Sequence, residues 1–169
     1  WDGGSGARGG CVGAAAGAET GPAGALVVDE GMRTSVPGIW AAGDCIAPLH
    51  RVTGQPAYVP LGTTANKTGR VAGTVAAGGN ASFAGIVGTA VVKVFDLEVA
   101  RTGLTLVEAL AAGIPALATD VVHRSRAKYY PGGSPLHVRL VHGPGGRLLG
   151  AQMVGCEGAA QRIAVIATE

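Results

Sequence analysis

The stretch "RTSVPGIWAAGDC", residues 33–45, decides the fold of this 169-residue chain. A proline turn leads into a short apolar run, and the run stops on Gly43-Asp44. Being apolar almost throughout, "IWAAGD" predicts a strand buried on both faces, as in a parallel α/β sheet. Just upstream, "GALVVD" (24–29) reads as a companion strand of aliphatic and β-branched residues. "EGMRTSVPG" is the turn between them, punctuated by Gly31 and Pro37. Ligands of open α/β sheets sit beyond the carboxyl ends of the strands. A strand ending on Gly43-Asp44 would offer a bare backbone there, and an acceptor-only carboxylate suited to sugar-like hydroxyls. On these residues alone, an ordinary strand-to-turn ending remains the simpler reading.

The next element strengthens the ligand reading. After the irregular "CIAPLHRVTGQPAYVP", a helix is predicted over 61–77, capped by Thr63 or Thr64 and ended by "GGN" (78–80). Its start presents unpaired N–H groups and the positive end of the helix dipole, which stabilise negative charge on a bound group. The competing reading is a helix start that meets only water.

"GGNASFAG" (78–85) is the expected domain boundary. Beyond it, 88–96 and 97–104 read as strands. "TLVEALAAGIP" follows as a short helix, with Thr105 and Glu108 at capping-box spacing, Gly113 at its stop and Pro115 beyond. "PALATDVVHRSR" reads as another strand. In "LHVRLV" (136–141), Leu136, Val138 and Leu140 alternate with His137 and Arg139, the pattern of a half-solvated antiparallel strand. "GPGG" turns it into "RLLGAQMVG" as a hairpin. The last segment puts Ala160, Ile163, Ala164 and Ala167 on one helical face. The fold class expected is therefore α+β: the end of an α/β domain (1–80, with 1–23 unplaced), then an α+β domain with an antiparallel sheet over 84–169.

Composition narrows the function. Hydrophobic residues make up 47% and charged ones 14%, enough apolar surface to bury a core. A net charge of +2 without a Lys/Arg cluster argues against nucleic acid as a partner. No apolar run approaches the roughly 20 residues that span a bilayer, and "WDGGSGARGG" lacks the apolar region of a signal peptide. A cytoplasmic protein is expected. Cys11, Cys45 and Cys156 are too far apart for a short redox or metal spacing and are expected to be small buried side chains. No metal site is expected.

Read together, "TSVPGIWAAGDC" and "YVPLGTTANKTGRVAG" make the chain resemble the FAD-dependent pyridine nucleotide–disulfide oxidoreductases, with the coenzyme A disulfide reductase and NADH oxidase branch nearest. Thr34, Pro37, Ile39, Trp40, Ala41, Gly43 and Asp44 fit the family's second FAD motif. The resemblance implies that Gly43 and Asp44 contact FAD, with Asp44 on the ribitol hydroxyls. Pro60, Leu61, Gly62 and Thr63 would face the pyrimidine end of the flavin. "GTAVVKVFDLEVARTGLT", "KYYPGG" and "GRLLGAQMVG" resemble the family's dimerisation domain, so a homodimer is implied. Tyr129 or Tyr130 would reach the partner subunit's active site; the alternative is two tyrosines packing beside a Pro-Gly turn.

The parent activity implied is electron transfer from NAD(P)H through FAD to a small-molecule disulfide such as coenzyme A disulfide, or a persulfide. A water- or peroxide-forming NADH oxidase acting on dioxygen is the runner-up, and a catalytically silent dimerisation module is the alternative from another class. The first glycine-rich FAD motif, the NAD(P)H-binding repeat, the redox cysteine and the C-terminal tail tyrosine have no counterpart in the sequence, and residues 1–16 do not match the end of the NAD(P)H domain. The chain therefore reads as a C-terminal fragment, expected to be inactive and to bind FAD poorly by itself. Cys45 is not assigned the redox role.

Overall fold

The computed structural model describes residues 10–168. They fall into two compact units that divide between Ile86 and Val87, one residue past the "GGNASFAG" stretch.

The first unit opens with helix α1 (Gly10–Ala15), inside the region that sequence patterning leaves unplaced. Strand β1 (Leu26–Val27) pairs in parallel with β2 (Ile46–Ala47), Leu26 facing Ile46. Two side chains shape the chain between them. Asp29 Oδ1 accepts the N–H groups of Gly31 and Arg33, both at 2.8 Å, and closes the first turn. Thr34 donates its hydroxyl to the Ile39 carbonyl at 3.0 Å and accepts the Val36 N–H at 3.2 Å, closing the loop that carries Pro37.

The expected strand "IWAAGD" does not form. Trp40 makes only an isolated bridge to Arg33, and Gly43–Cys45 is a 3-10 turn that enters β2. The reason is local: Gly43 has φ +84°, a left-handed conformation incompatible with extended backbone. Asp44 thus precedes a parallel strand instead of ending one. The following "irregular" stretch contains a small hairpin, β3 (Leu49–His50) with β4 (Gln55–Pro56).

Helix α2 (Gly62–Ala76) lies within the expected range, and Gly78 at φ +85° follows its end. Its N-cap is Leu61 and no side chain caps it; Thr63 and Thr64 are already helical. Val71 and Ala72 pack on a core of Ala18, Leu26, Met32, Ala41 and Ile46.

The second unit is an antiparallel five-stranded sheet in the order β5-β6-β9-β8-β7. The strands are β5 (Ala90–Val94), β6 (Leu97–Gly103), β7 (Leu117–Arg124), β8 (Pro135–His142) and β9 (Leu148–Gly155). Helix α3 (Leu106–Ala111) follows β6 with the expected capping box complete. Helix α4 (Ala159–Ile166) covers one sheet face, where Ala100, Leu136, Ala151 and Met153 meet Ala159 and Ile163. Its buried residues are Ala159 and Ile163, with Ile166 half-buried beside them, so the stripe is rotated from the expected one and Ala164 faces water. Glu98 of β6 accepts the Ala159 and Ala160 N–H groups at 2.9 and 3.2 Å, which fixes that rotation.

Among the described residues no helix is long and apolar enough to cross a membrane, and no cluster of metal-ligating side chains occurs. Cys45 is half-buried, whereas Cys156 is exposed at the end of β9, contrary to the expectation of burial. The Cys11 side chain lies outside the described ones.

Candidate cofactor-binding site

Gly43 and Asp44 sit on the 3-10 turn between Ala42 and β2, and this turn packs on α2. The Gly43 N–H donates to Thr68 Oγ1 at 3.2 Å, and the Thr68 hydroxyl donates to the Thr64 carbonyl at 2.8 Å. Thr68 is fully buried, so its hydroxyl clamps the turn from inside the helix. The Cys45 thiol donates to the Ala42 carbonyl at 3.3 Å and closes the turn from the other side. Asp44 itself points to solvent.

The start of α2 is tied to the same strand pair. The Ala57 N–H donates to the Pro48 carbonyl at 3.0 Å, just after β2, and Tyr58 packs on Ala25 and Ala47. Pro60, Gly62 and Thr63 are exposed and Leu61 is half-buried. The first helical bond runs from the Ala65 N–H to the Leu61 carbonyl at 2.9 Å. By helix geometry the Gly62, Thr63 and Thr64 N–H groups are then left without intrahelical partners. No acidic residue stands in the first turn to take up the helix dipole, and a Cβ on Gly62 would meet nothing within 4 Å. The unit thus holds an exposed carboxylate on a clamped turn and an open, uncapped helix start. The first can accept hydrogen bonds from hydroxyl groups; the second favours an electron-rich edge. These residues fit a ligand with a polyol segment and an acceptor-rich ring.

Sequence reasoning missed Thr68. Its signal is a hydroxyl on the helix stripe that otherwise carries Val71, Ala72 and Val75.

Tyr129 and Tyr130 belong to the second unit, on the loop joining β7 to β8. Tyr129 is 90% exposed; Tyr130 is 54% exposed and its ring centroid lies 5.3 Å from the Arg126 guanidinium carbon. Arg126 in turn makes a bidentate pair with Glu157 at 2.6 and 2.7 Å. The loop is therefore anchored at Arg126 and Tyr130 and leaves Tyr129 free to contact a ligand or a partner.

Two family models match in succession. The pyridine nucleotide-disulphide oxidoreductase model covers residues 4–77, and that family's dimerisation domain covers 89–168. The chain belongs to the pyridine nucleotide-disulphide oxidoreductases. Its first match takes in the Gly/Ala-rich start, including most of 1–16, which the motif reading could not align.

Particular relatives narrow the branch. The chain is 41% identical over 142 residues to the NAD(P)H coenzyme A polysulfide/persulfide reductase of Pyrococcus horikoshii, covering 83% of this chain and 32% of that protein. It is 40% identical over 139 residues to the NADH oxidase of Methanocaldococcus jannaschii, covering 82% and 31%. The structure of an NAD-dependent persulfide reductase from A. fulgidus superposes with a TM-score of 0.88 at 40% identity, over 93% of this chain and 30% of that one. The chain thus spans about a third of the length of the curated relatives it matches.

Proposed function

We propose that this chain supplies flavin contacts and the dimer interface of an FAD-dependent oxidoreductase that moves electrons from NAD(P)H to a disulfide or persulfide of the coenzyme A type. The observation that carries the reading is the Gly43-Asp44 turn, clamped by Thr68 onto a helix whose start is open and uncapped. FAD, when bound, supplies the redox chemistry by accepting hydride and passing electrons on; the protein contributes orientation and electrostatics. The Asp44 carboxylate accepts hydrogen bonds from ribitol hydroxyls. Pro60 and Leu61 bring the chain to the flavin, and the Gly62 and Thr63 N–H groups favour negative charge at its pyrimidine edge. Thr68 holds the turn at the height where Asp44 can do this.

The match of residues 89–168 to a dimerisation domain supports a homodimer, in which Tyr129 or Tyr130 would reach the partner's reaction centre. A reaction fed by NAD(P)H fits the cytoplasm, where thiols are kept reduced. The 40% identity to an NADH oxidase favours a second reading, with dioxygen as the acceptor.

The test is an FAD titration of the purified protein, followed by flavin fluorescence. Weak binding, no tighter than micromolar, that falls at least tenfold further in Asp44→Ala is expected, as for loss of one charge-assisted hydrogen bond of about 1.5–3 kcal/mol. A stable dimer blind to FAD would instead make the chain a dimerisation module without a redox role.

A further inference from the structure

The hairpin of β5 and β6 carries an apolar surface that the fold of one chain does not use. β5 is an edge strand, paired with β6 alone. Alternation puts Val92 and Val94 on the face away from α4, and Val91 on the α4 face, opposite the buried Ala100. Helix α4 does not reach that far, and Val91 stays 46% exposed. Leu97, the partner of Val94, is exposed as well, and Phe95 at the tip is 93% exposed. Both faces and the end of the hairpin are thus apolar and open to water. Single exposed valines are ordinary, but five neighbouring apolar side chains on one unpaired edge are not.

The tip is also built against backbone preference. Phe95 and Asp96 form a two-residue loop between the paired Val94 and Leu97, and Phe95 has φ +52°. Such loops place glycine, asparagine or aspartate where φ is positive, and a bulky side chain there is an outlier. Within one chain nothing offsets this strain, since the ring faces water. A turn that stayed solvated would be better served by glycine.

We propose that this hairpin is an arm which a second copy of the chain grips from both faces, with the Phe95 ring as its anchor. The proposal rests on the homodimer reading above and deepens it by naming the contact. A second copy is the occupant because the dimerisation-domain match, residues 89–168, takes in the whole hairpin. Area agrees with this. A buried aromatic ring accounts for about 150–250 Å², a sizeable share of the roughly 800 Å² that each partner gives to a standard interface. Val91, Val92, Val94 and Leu97 flank the ring and add to it. In an isologous dimer each copy offers one arm and grips another. A flat contact on the open sheet face would cover Val92 and Val94 but leave Val91 and Phe95 wet.

The experiment is sedimentation velocity of the purified protein over a range of concentrations, with thermal melts at the lowest. Phe95→Gly and Phe95→Asn both suit a positive φ. Their monomers should melt no lower than the unaltered protein, while the dimer dissociation constant rises at least tenfold. Val91→Glu should weaken the dimer by a similar factor, because it puts a charge into the gripped face. Opposite effects on the single chain and on the pair mark an anchor, since a merely local turn residue moves the melt and not the assembly. A dimer unchanged by both Phe95 variants overturns the arm and leaves the homodimer standing. Weakening by the Phe95 variants alone, with none from Val91→Glu, overturns the grip from both faces. Phe95 variants whose monomers melt far below the unaltered protein would place the ring in the fold of one chain and overturn the proposal. An unaltered protein that is monomeric at every concentration sinks the homodimer reading, and the arm with it.

Discussion

Thr68 uses one hydroxyl for two purposes, donating to the carbonyl of its own helix and accepting the Gly43 N–H. Valine has nearly the same shape and cannot accept. Thr68→Val should therefore cost about 1–2 kcal/mol, the penalty for a part-buried N–H left without a partner. FAD affinity should fall with it, although the Thr68 side chain is fully buried, and Thr68→Ser should restore both. Urea unfolding and flavin titration of the three proteins check this; an unchanged midpoint and affinity in Thr68→Val would remove the clamp from the argument. Gly43 is a separate case. The nearest atom to an added Cβ is that of Ala65 at 3.9 Å, so space is no obstacle and the φ of +84° carries the cost. Gly43→Ala should then lose about 1–2 kcal/mol from backbone conformation alone. The motif that holds Gly43 and Asp44 is legible in the sequence because it is contiguous. Thr68 is not, because its role depends on a hydrogen bond between residues 25 apart in the chain.

Helix α3 is short, and its ends decide whether it forms. Thr105 accepts the Glu108 N–H at 3.2 Å, while Glu108 accepts the Thr105 N–H at 2.7 Å and Arg101 from β6 at 2.7 Å. Partial burial alone would raise the Glu108 carboxyl. The Arg101 bond and the Thr105 N–H together outweigh it and hold the group below its ordinary value of 4.5. A depressed carboxyl stabilises the fold above its unfolded value, and that contribution is lost as pH falls through the folded one. The protein should therefore lose more stability than Glu108→Gln between about pH 5 and pH 3. Urea unfolding across that range checks it; parallel curves would mean that the carboxylate charge contributes nothing. Thr105→Ala should cost about 1 kcal/mol at any pH in that window. This capping box was readable because it is local, with four residues fixing both bonds. "IWAAGD" was misread because an apolar run without a period does not report a left-handed glycine inside it. The stripe of α4 came out rotated because Glu98, on a distant strand, chooses which N–H groups face the sheet.

At the scale of the molecule, the change in pattern past "GGNASFAG" carried the two-unit organisation, and the alternation in "LHVRLV" carried the antiparallel sheet. Alternation marks which residues share a face, and it leaves open what covers the second face. The structure gives the two faces different fates. Helix α4 covers the middle of one of them. On the other, Val92, Val99, Val154, His137 and Val122 run in register across all five strands. The valines at the ends of this row, Val92 and Val122, remain 55% and 61% exposed. A dimerisation domain needs about 800 Å² of surface per partner, and an apolar row facing water gains most from being covered. If the homodimer uses this face, Val92→Glu or Val122→Glu alone should turn a dimer into a monomer, since each puts a charge into a closing apolar contact. The folded monomer should tolerate both changes within about 0.5 kcal/mol, because neither side chain belongs to the α4-covered core. Sedimentation velocity across a range of protein concentrations reads the assembly, and thermal melts at the lowest concentration read the monomer. A dimer that survives both glutamates places the partner elsewhere on the sheet unit. Monomers that melt far below the parent would instead mean that the row contributes to the fold of a single chain.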